Sequence, residues 1–283
     1  MHWQTTRFAI DLSRPRVMGI VNVTPDSFSD GGDHASAAAA IAHCEQLVAN
    51  GADMLDIGGE STRPGSPPLP LDEELARVLP VVRAALTLGV PVSVDTYKPQ
   101  VMQRVLDLGV DIINDIWALR QPGAEQVVAE QGSCGVCLMH MHGEPRTMQL
   151  APMSGDAVEQ VRAFLQDRVR QLQSLGVSRE RLTVDPGVGF GKTVEQNFAL
   201  LARQGELQAL GTPLLVGWSR KSSLGAVTGL PVNERVCPSA VAAVLAVQGG
   251  AAIVRVHDVK ETVAALAVWR AVREQASSGQ REQ

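Results

Sequence analysis

Residues 182–197 read LTVDPGVGFGKTVEQN, and whether they form a nucleotide-binding loop or the end of a barrel strand decides the fold. An apolar run ends in Asp185, glycines follow at 187, 189 and 191, and Lys192 and Thr193 lead into a helix-like segment. A phosphate-cradling P-loop needs four residues between its first glycine and the Gly-Lys pair. Here Val188, Gly189 and Phe190 supply only three, and counting back the required distance reaches Pro186. The stretch therefore reads as a strand with Asp185 at its tip, followed by a helix that Lys192 and Thr193 start at the surface.

The rest of the chain repeats that unit. Short apolar, β-rich runs lie at 17–23, 54–58, 90–95, 111–115, 135–141, 181–185, 213–218 and 252–257, separated by amphipathic segments such as ASAAAAIAHCEQLVAN and DAVEQVRAFLQDRVRQLQSLG. Near-continuous apolar strands are buried on both faces, as in parallel sheets, and strands alternating with helices make βα units. Eight such units in about 250 residues are the content of a (β/α)8 TIM barrel of the α/β class. An open doubly wound sheet is the alternative, but its first turn should carry G-x-G-x-x-G, and here that turn is NVTPDSFSDGG. We read residues 1–275 as one domain and 276–283 as a polar tail.

Composition narrows the classes of function. With 45% hydrophobic and 19% charged residues the chain can bury a large core. A net charge of −5 argues against nucleic-acid binding, which needs a basic surface. No apolar run approaches the ~20 residues that span a bilayer, and the first residues lack the apolar region of a secretory signal, so a cytoplasmic location is expected. Cys134, Cys137, His140 and His142 crowd into CGVCLMHMH. In a strand, however, alternate side chains face opposite ways, so these four cannot close on one ion, and the cysteines are expected to be reduced.

Polar residues sit at the C-terminal end of every expected strand: Asn22; Asp56 and Glu60; Asp95; Asn114 and Asp115; Met139 and His140; Asp185; Ser219, Arg220 and Lys221; Arg255 and His257. In a barrel these share one rim, where such enzymes build their sites. Cations at 63, 221 and 255 suit an anion, and phosphate commonly sits near the last two strands, where a helix N-terminus favours it. The carboxylates and amides suit a flat ring rich in N–H donors: Asp185 can accept two parallel bonds, supplemented by Asn114 and Asp95. The glycines after Asp185 would let backbone pass close to such a ring. Loops TPDSFSDGGDH and GGESTRPGSPPLPLD have the composition and length of lids.

GIVNVTPDSFSDGG, DIGGESTRPG, VDTYKP, INDI, LMHMHGEP, DPGVGFGKT, GWSRKS and RVHDV, in that order from about Arg16 to about Thr262, resemble the motifs of the dihydropteroate synthase family. The resemblance implies a pterin-binding TIM barrel that condenses (7,8-dihydropterin-6-yl)methyl diphosphate with 4-aminobenzoate. The products would be 7,8-dihydropteroate and diphosphate, for folate synthesis, with Mg2+ assisting and sulfonamides competing for the aminobenzoate pocket. It implies that Asn22 holds Mg2+ and, with Thr62, Arg63, Arg255 and His257, the diphosphate. Asp95, Asn114, Asp185, Lys221, Met139 and Arg255 would bind pterin. Phe28, Pro64, Phe190, Lys221 and Ser222 would form the aminobenzoate pocket. Asp95, Lys221, Arg255 and His257 would carry the catalysis, without a covalent nucleophile. The family also implies a homodimer through C-terminal helices. His142, Trp218 and the Cys237-Pro238 pair depart from the family's usual residues without removing a catalytic position. A non-catalytic pterin-binding relative and a pterin-dependent methyltransferase on the same barrel are the alternative functions.

Overall fold

The structure, a computed structural model, describes residues 1–24, 32–61 and 65–278. Its elements are β1 (His2–Gln4), β2 (Ala9–Asp11), β3 (Arg16–Asn22), α1 (Gly32–Ala49), β4 (Met54–Gly58), α2 (Leu71–Ala85), β5 (Val92–Asp95), α3 (Pro99–Leu106), β6 (Ile112–Asp115), α4 (Ala124–Gln131), β7 (Gly135–Met139), α5 (Ala157–Ser174), β8 (Leu182–Asp185), α6 (Val194–Ala202), β9 (Leu215–Val216), α7 (Ser222–Thr228), α8 (Val236–Gln248), β10 (Ile253–Val256) and α9 (Val259–Ser278).

Strands β3 to β10 are all parallel and hydrogen-bonded in the order β8-β7-β6-β5-β4-β3-β10-β9. A parallel bridge between Val184 and Leu214 brings β8 to β9 and closes the ring. This is the expected (β/α)8 barrel, and its strands fall on the runs that the sequence marked. Among the described residues no helix is long and apolar enough to cross a membrane.

The register sorts side chains between two cores. Met18 pairs with Met54, Ile20 with Asp56, Asn22 with Gly58, Asp56 with Ser93, Gly58 with Asp95 and Asp95 with Asn114. Because successive strand residues alternate faces, Met18, Met54, Asp56, Ser93, Asp95 and Asn114 all point into the barrel. The other set, including Leu55, Ile57, Val92, Val94 and Ile113, points out and is sealed by the surrounding helices. The barrel interior is therefore apolar at its base and increasingly polar toward the C-terminal rim.

The base is closed by a feature absent from the sequence reading. β1 and β2 form an antiparallel hairpin. Its Trp3 and Ile10 join Met18, Met54, Ile112, Cys137, Leu215 and Ile253 in one buried cluster. Trp3 is fully buried, and its indole N–H donates to the Arg181 carbonyl at 2.9 Å. Arg7, at the hairpin turn, clamps the buried Asp111 carboxylate through Nη2 at 2.6 Å. Trp3→Ala removes the largest side chain of this plug and is expected to lower stability by about 3–5 kcal/mol. Urea titration checks it; ligand affinity at the opposite rim should stay at the wild-type level.

Candidate active site

The rim is organised around Arg255 on β10. Its Nε donates to Asp56 Oδ2 at 2.5 Å and its Nη2 to Asp95 Oδ2 at 2.9 Å. Asp56 also accepts from Asn114 Nδ2 at 3.1 Å. One guanidinium thus links β4, β5, β6 and β10 across the barrel mouth. Desolvation works against the cation, but the paired carboxylates outweigh it and hold Arg255 above its ordinary value. Asp95 is pushed up to about 7 by burial, against the pull of Arg255, with Asp56 and Asp115 adding to the rise.

Beyond β9 from Arg255, Asp185 ends β8. Burial raises its pKa, while the Gly187 N–H, bonded to Oδ1 at 2.7 Å, and the nearby Lys221, Arg255 and Lys192 cations counteract that rise. Among the described residues its second oxygen accepts no hydrogen bond. Lys221, lowered to about 8 by burial and by Arg255, lies 4.4 Å above the Phe190 ring. Cation and ring form a half-buried wall beside Asp185. Met139 is buried with Ile116, Met141 and Met148, against Tyr97, Trp117 and Phe190. Ser222 is exposed at the start of α7, next to Lys221.

His257 follows β10 and precedes α9. Its ring Nδ1 lies 3.0 Å from Ser219 Oγ, which accepts the His257 backbone N–H at 3.1 Å. Burial and the neighbouring Arg255 lower the imidazole to about 3, so it is neutral at physiological pH. In the tautomer in which Ser219 donates to Nδ1, the hydrogen resides on Nε2 and can be offered to an anion. Asn22, half-buried, ends β3 opposite Gly58. Phe28, Thr62, Arg63 and Pro64, and with them the tips of both expected lids, lie outside the described residues.

One expectation for the glycine-rich stretch needs correction. Lys192 does not start a surface helix: it is buried, and its ammonium meets the Gly187 carbonyl at 2.8 Å, the Phe190 carbonyl at 3.0 Å and His140 Nδ1 at 3.0 Å. It pins the loop that carries Phe190 to the segment after β7. Thr193 does cap α6, in a reciprocal capping box with Gln196. Gly187 and Gly191 make room for protein backbone. Gly187 has φ +66° and Gly191 φ +67°; a Cβ there would fall 1.8 Å from the His140 carbonyl oxygen and 2.2 Å from that of His142.

Other rim residues serve the frame. Asp115 accepts the backbone N–H groups of Trp117 and Leu119, both at 2.7 Å, and so holds a turn in which Ala118 and Leu119 adopt φ of 52° and 60°. Glu60 joins Lys98, Tyr97 and Glu74 in a network behind β4 and β5. The sequence placed Asp56 and Ser219 on the rim without a role. The inward parity that Asp56 shares with Gly58, and Ser219's place beside the last two strands, were the available signals.

Residues 18–257 match the pterin binding enzyme family. The chain belongs to this family, among its dihydropteroate synthases. The dihydropteroate synthase of Neisseria meningitidis serogroup B is 49% identical over 276 residues, 95% of this chain and 97% of that one. Burkholderia cenocepacia dihydropteroate synthase, solved in complex with 7,8-dihydropteroate, is 53% identical, with a TM-score of 0.90 and 98% of each chain covered. The Yersinia pestis dihydropteroate synthase, solved as a sulfonamide drug complex, is 46% identical with a TM-score of 0.91, covering 97% of this chain and 100% of that one. As a dihydropteroate synthase the chain is a transferase. The matched family region runs from β3 through β10 and takes in Asn22, Asp56, Asp95, Asn114, Asp185, Lys221, Arg255 and His257.

Proposed function

We propose that the chain joins (7,8-dihydropterin-6-yl)methyl diphosphate to 4-aminobenzoate, forming 7,8-dihydropteroate and releasing diphosphate. The observation that carries this reading is the set of groups gathered at the mouth. Acceptors stand at the ends of β5, β6 and β8 (Asp95, Asn114, Asp185), matching a ring edge rich in N–H donors. Donors stand on and after β10 (Arg255, His257, the N-terminus of α9), matching a leaving diphosphate, and Arg255 joins the two sets through Asp95. Lys221 stands between, with the Phe190 ring beneath its ammonium for an aromatic second substrate.

In this reading Asp185, Asn114 and Asp95 bind the pterin, Met139 packs on its face, and Arg255 shifts toward the ring and the diphosphate. Asn22, Thr62, Arg63, Arg255 and His257 take the diphosphate. The C–O bond to diphosphate breaks, and negative charge builds on the leaving oxygens, where Arg255 and His257 Nε2–H stabilise it. Carboxylates at Asp95 and Asp185 stabilise the cationic pterin methylene. The aminobenzoate nitrogen, held among Phe28, Pro64, Phe190, Lys221 and Ser222, forms the new C–N bond and then loses a proton to solvent. Water is the competing nucleophile, and the Phe190 wall limits its approach.

Mg2+ fits the diphosphate end. It takes few protein oxygens and shares substrate phosphates, and Asn22 offers one amide oxygen there. Among the described residues no group of three His, Cys, Asp or Glu is placed to hold an ion. When bound, the metal would neutralise charge on the diphosphate. Sulfonamides would compete at the Phe190 and Lys221 wall. The four unpaired cysteines support a cytoplasmic setting.

Asp185→Ala is expected to abolish dihydropterin binding in calorimetry, whereas Arg255→Ala should retain weak pterin binding and cripple turnover of the diphosphate. Normal turnover in Asp185→Ala would remove that residue from the site. The ionised Asp95 is the better acceptor, and its pKa lies at about 7. Affinity for a diphosphate-free dihydropterin should therefore rise with pH across about 6 to 8, and Asp95→Asn should flatten that rise.

A homodimer is also part of this proposal. Val241 and Leu245 on α8 are 53% and 47% exposed, and Val268 and Val272 on α9 are 68% and 65% exposed, which leaves an apolar stripe on two adjoining helices. Sedimentation velocity should give a dimer, converted to monomer by Val268→Glu; a wild-type monomer at micromolar concentration counts against it.

A further inference from the structure

Asp56 is fully buried on the inward face of β4, one layer below the rim. Its Oδ2 takes two donors, Arg255 Nε and Asn114 Nδ2, while Oδ1 has no partner among the described residues. Register places it beside Ser93, whose hydroxyl is likewise buried without a partner. A carboxylate with one bare oxygen in a barrel interior is a poor stabilising device, because its desolvation is only partly offset. An apolar residue would pack this layer as well. The contacts on Oδ2 indicate what the carboxylate is kept for.

A carboxylate only accepts, so the Asn114 amide must present its NH2 to Asp56. Nothing among the described residues donates to Asn114 Oδ1, and Asn114 lies at the C-terminal end of β6, beside the mouth. Arg255 is held differently. Asp56 grips Nε, near the root of the guanidinium, and Asp95 grips Nη2, at its tip. Asp95 stands at the rim and Asp56 below it, so a ligand that engages Asp95 frees the tip while the root stays anchored.

We propose that Asp56 is the positioning residue of this site. It fixes the Asn114 amide so that its carbonyl faces the pterin as an acceptor, and it retains Arg255 as a pivot when Asp95 turns to the substrate. The inference rests on the function proposed above. Asp56 touches neither substrate nor leaving group; it acts through Asn114 and Arg255.

The test combines calorimetry of a diphosphate-free dihydropterin with steady-state kinetics for wild type, Asp56→Asn, Asn114→Ala, the double variant and Ser93→Ala. Asp56→Asn keeps the shape and removes the charge. It should weaken pterin binding by about tenfold or more and also lower kcat, since both partners are disturbed. The loss should be smaller in the Asn114→Ala background than alone, the signature of coupled residues. Ser93→Ala, in the same layer, should leave both measurements at the wild-type level. Asp56→Asn that binds and turns over within about twofold of wild type overturns the inference, as do strictly multiplicative losses in the double variant. Wild-type protein that fails to bind the pterin overturns the function reading and this inference with it. If wild type binds and Asp56→Asn binds equally, only the inference falls.

Should Asp56→Asn not fold, the wild-type Asn114 side-chain amide, observed by 15N NMR and assigned by its loss in Asn114→Ala, probes the same contact. A proton protected from exchange supports the bond to Asp56. A freely exchanging amide overturns it.

Discussion

The ion pair that joins Arg255 to Asp56 and Asp95 organises the rest of the site. Arg255 is 20% exposed, Asp56 not at all and Asp95 13%. Charges so little hydrated are costly unless they are paired and hydrogen-bonded. As a means of holding the barrel together this arrangement would be wasteful. As a means of keeping a cation and two carboxylates within reach of a charged substrate it is economical, because fixed dipoles and charges need little reorganisation when the ligand arrives. The strand register makes it possible. Asp56, Asp95 and Arg255 come from three strands, point inward by parity, and meet because the parallel ring brings β10 beside β3 and β3 beside β4.

The remaining structure keeps that mouth in shape. Below it, the hairpin with Trp3 and Ile10 seals an apolar floor. To one side, Asp115 locks a turn through two backbone N–H groups. After the neighbouring strands β7 and β8, Lys192 gathers the carbonyls of Gly187 and Phe190, and glycines at 187 and 191 admit the backbone of His140 and His142. Phe190, which forms the wall under Lys221, is thus held from behind by a buried ammonium and by close backbone packing. The loop that resembles a phosphate cradle is closely packed, and its lysine faces inward to its own carbonyls.

Much of this was legible from sequence for a simple reason. Parallel barrel strands are buried on both faces, so they stand out as short apolar runs, and the residue that ends each run is where the chain leaves the core for the rim. Strand ends place Asp95, Asn114, Asp185 and Arg255 at the rim. The hairpin was missed because three-residue strands carry almost no periodicity, and its Trp3 acquires meaning only from residues such as Arg181 far along the chain. Lys192 was misplaced for a related reason. A buried ammonium is made tolerable by carbonyls that tertiary structure brings to it, and nothing in GFGKT announces them. Asp56 could be placed on the rim, but its partner Arg255 is 199 residues away, and only the closed ring joins the two.

The most direct measurement of the central claim is product formation by the purified chain supplied with (7,8-dihydropterin-6-yl)methyl diphosphate, 4-aminobenzoate and Mg2+. One diphosphate released for each 7,8-dihydropteroate formed, with dihydropteroate formation suppressed when a sulfonamide competes with 4-aminobenzoate, is the expected result. Diphosphate released at the same rate without 4-aminobenzoate, or no dihydropteroate from folded protein, would contradict it.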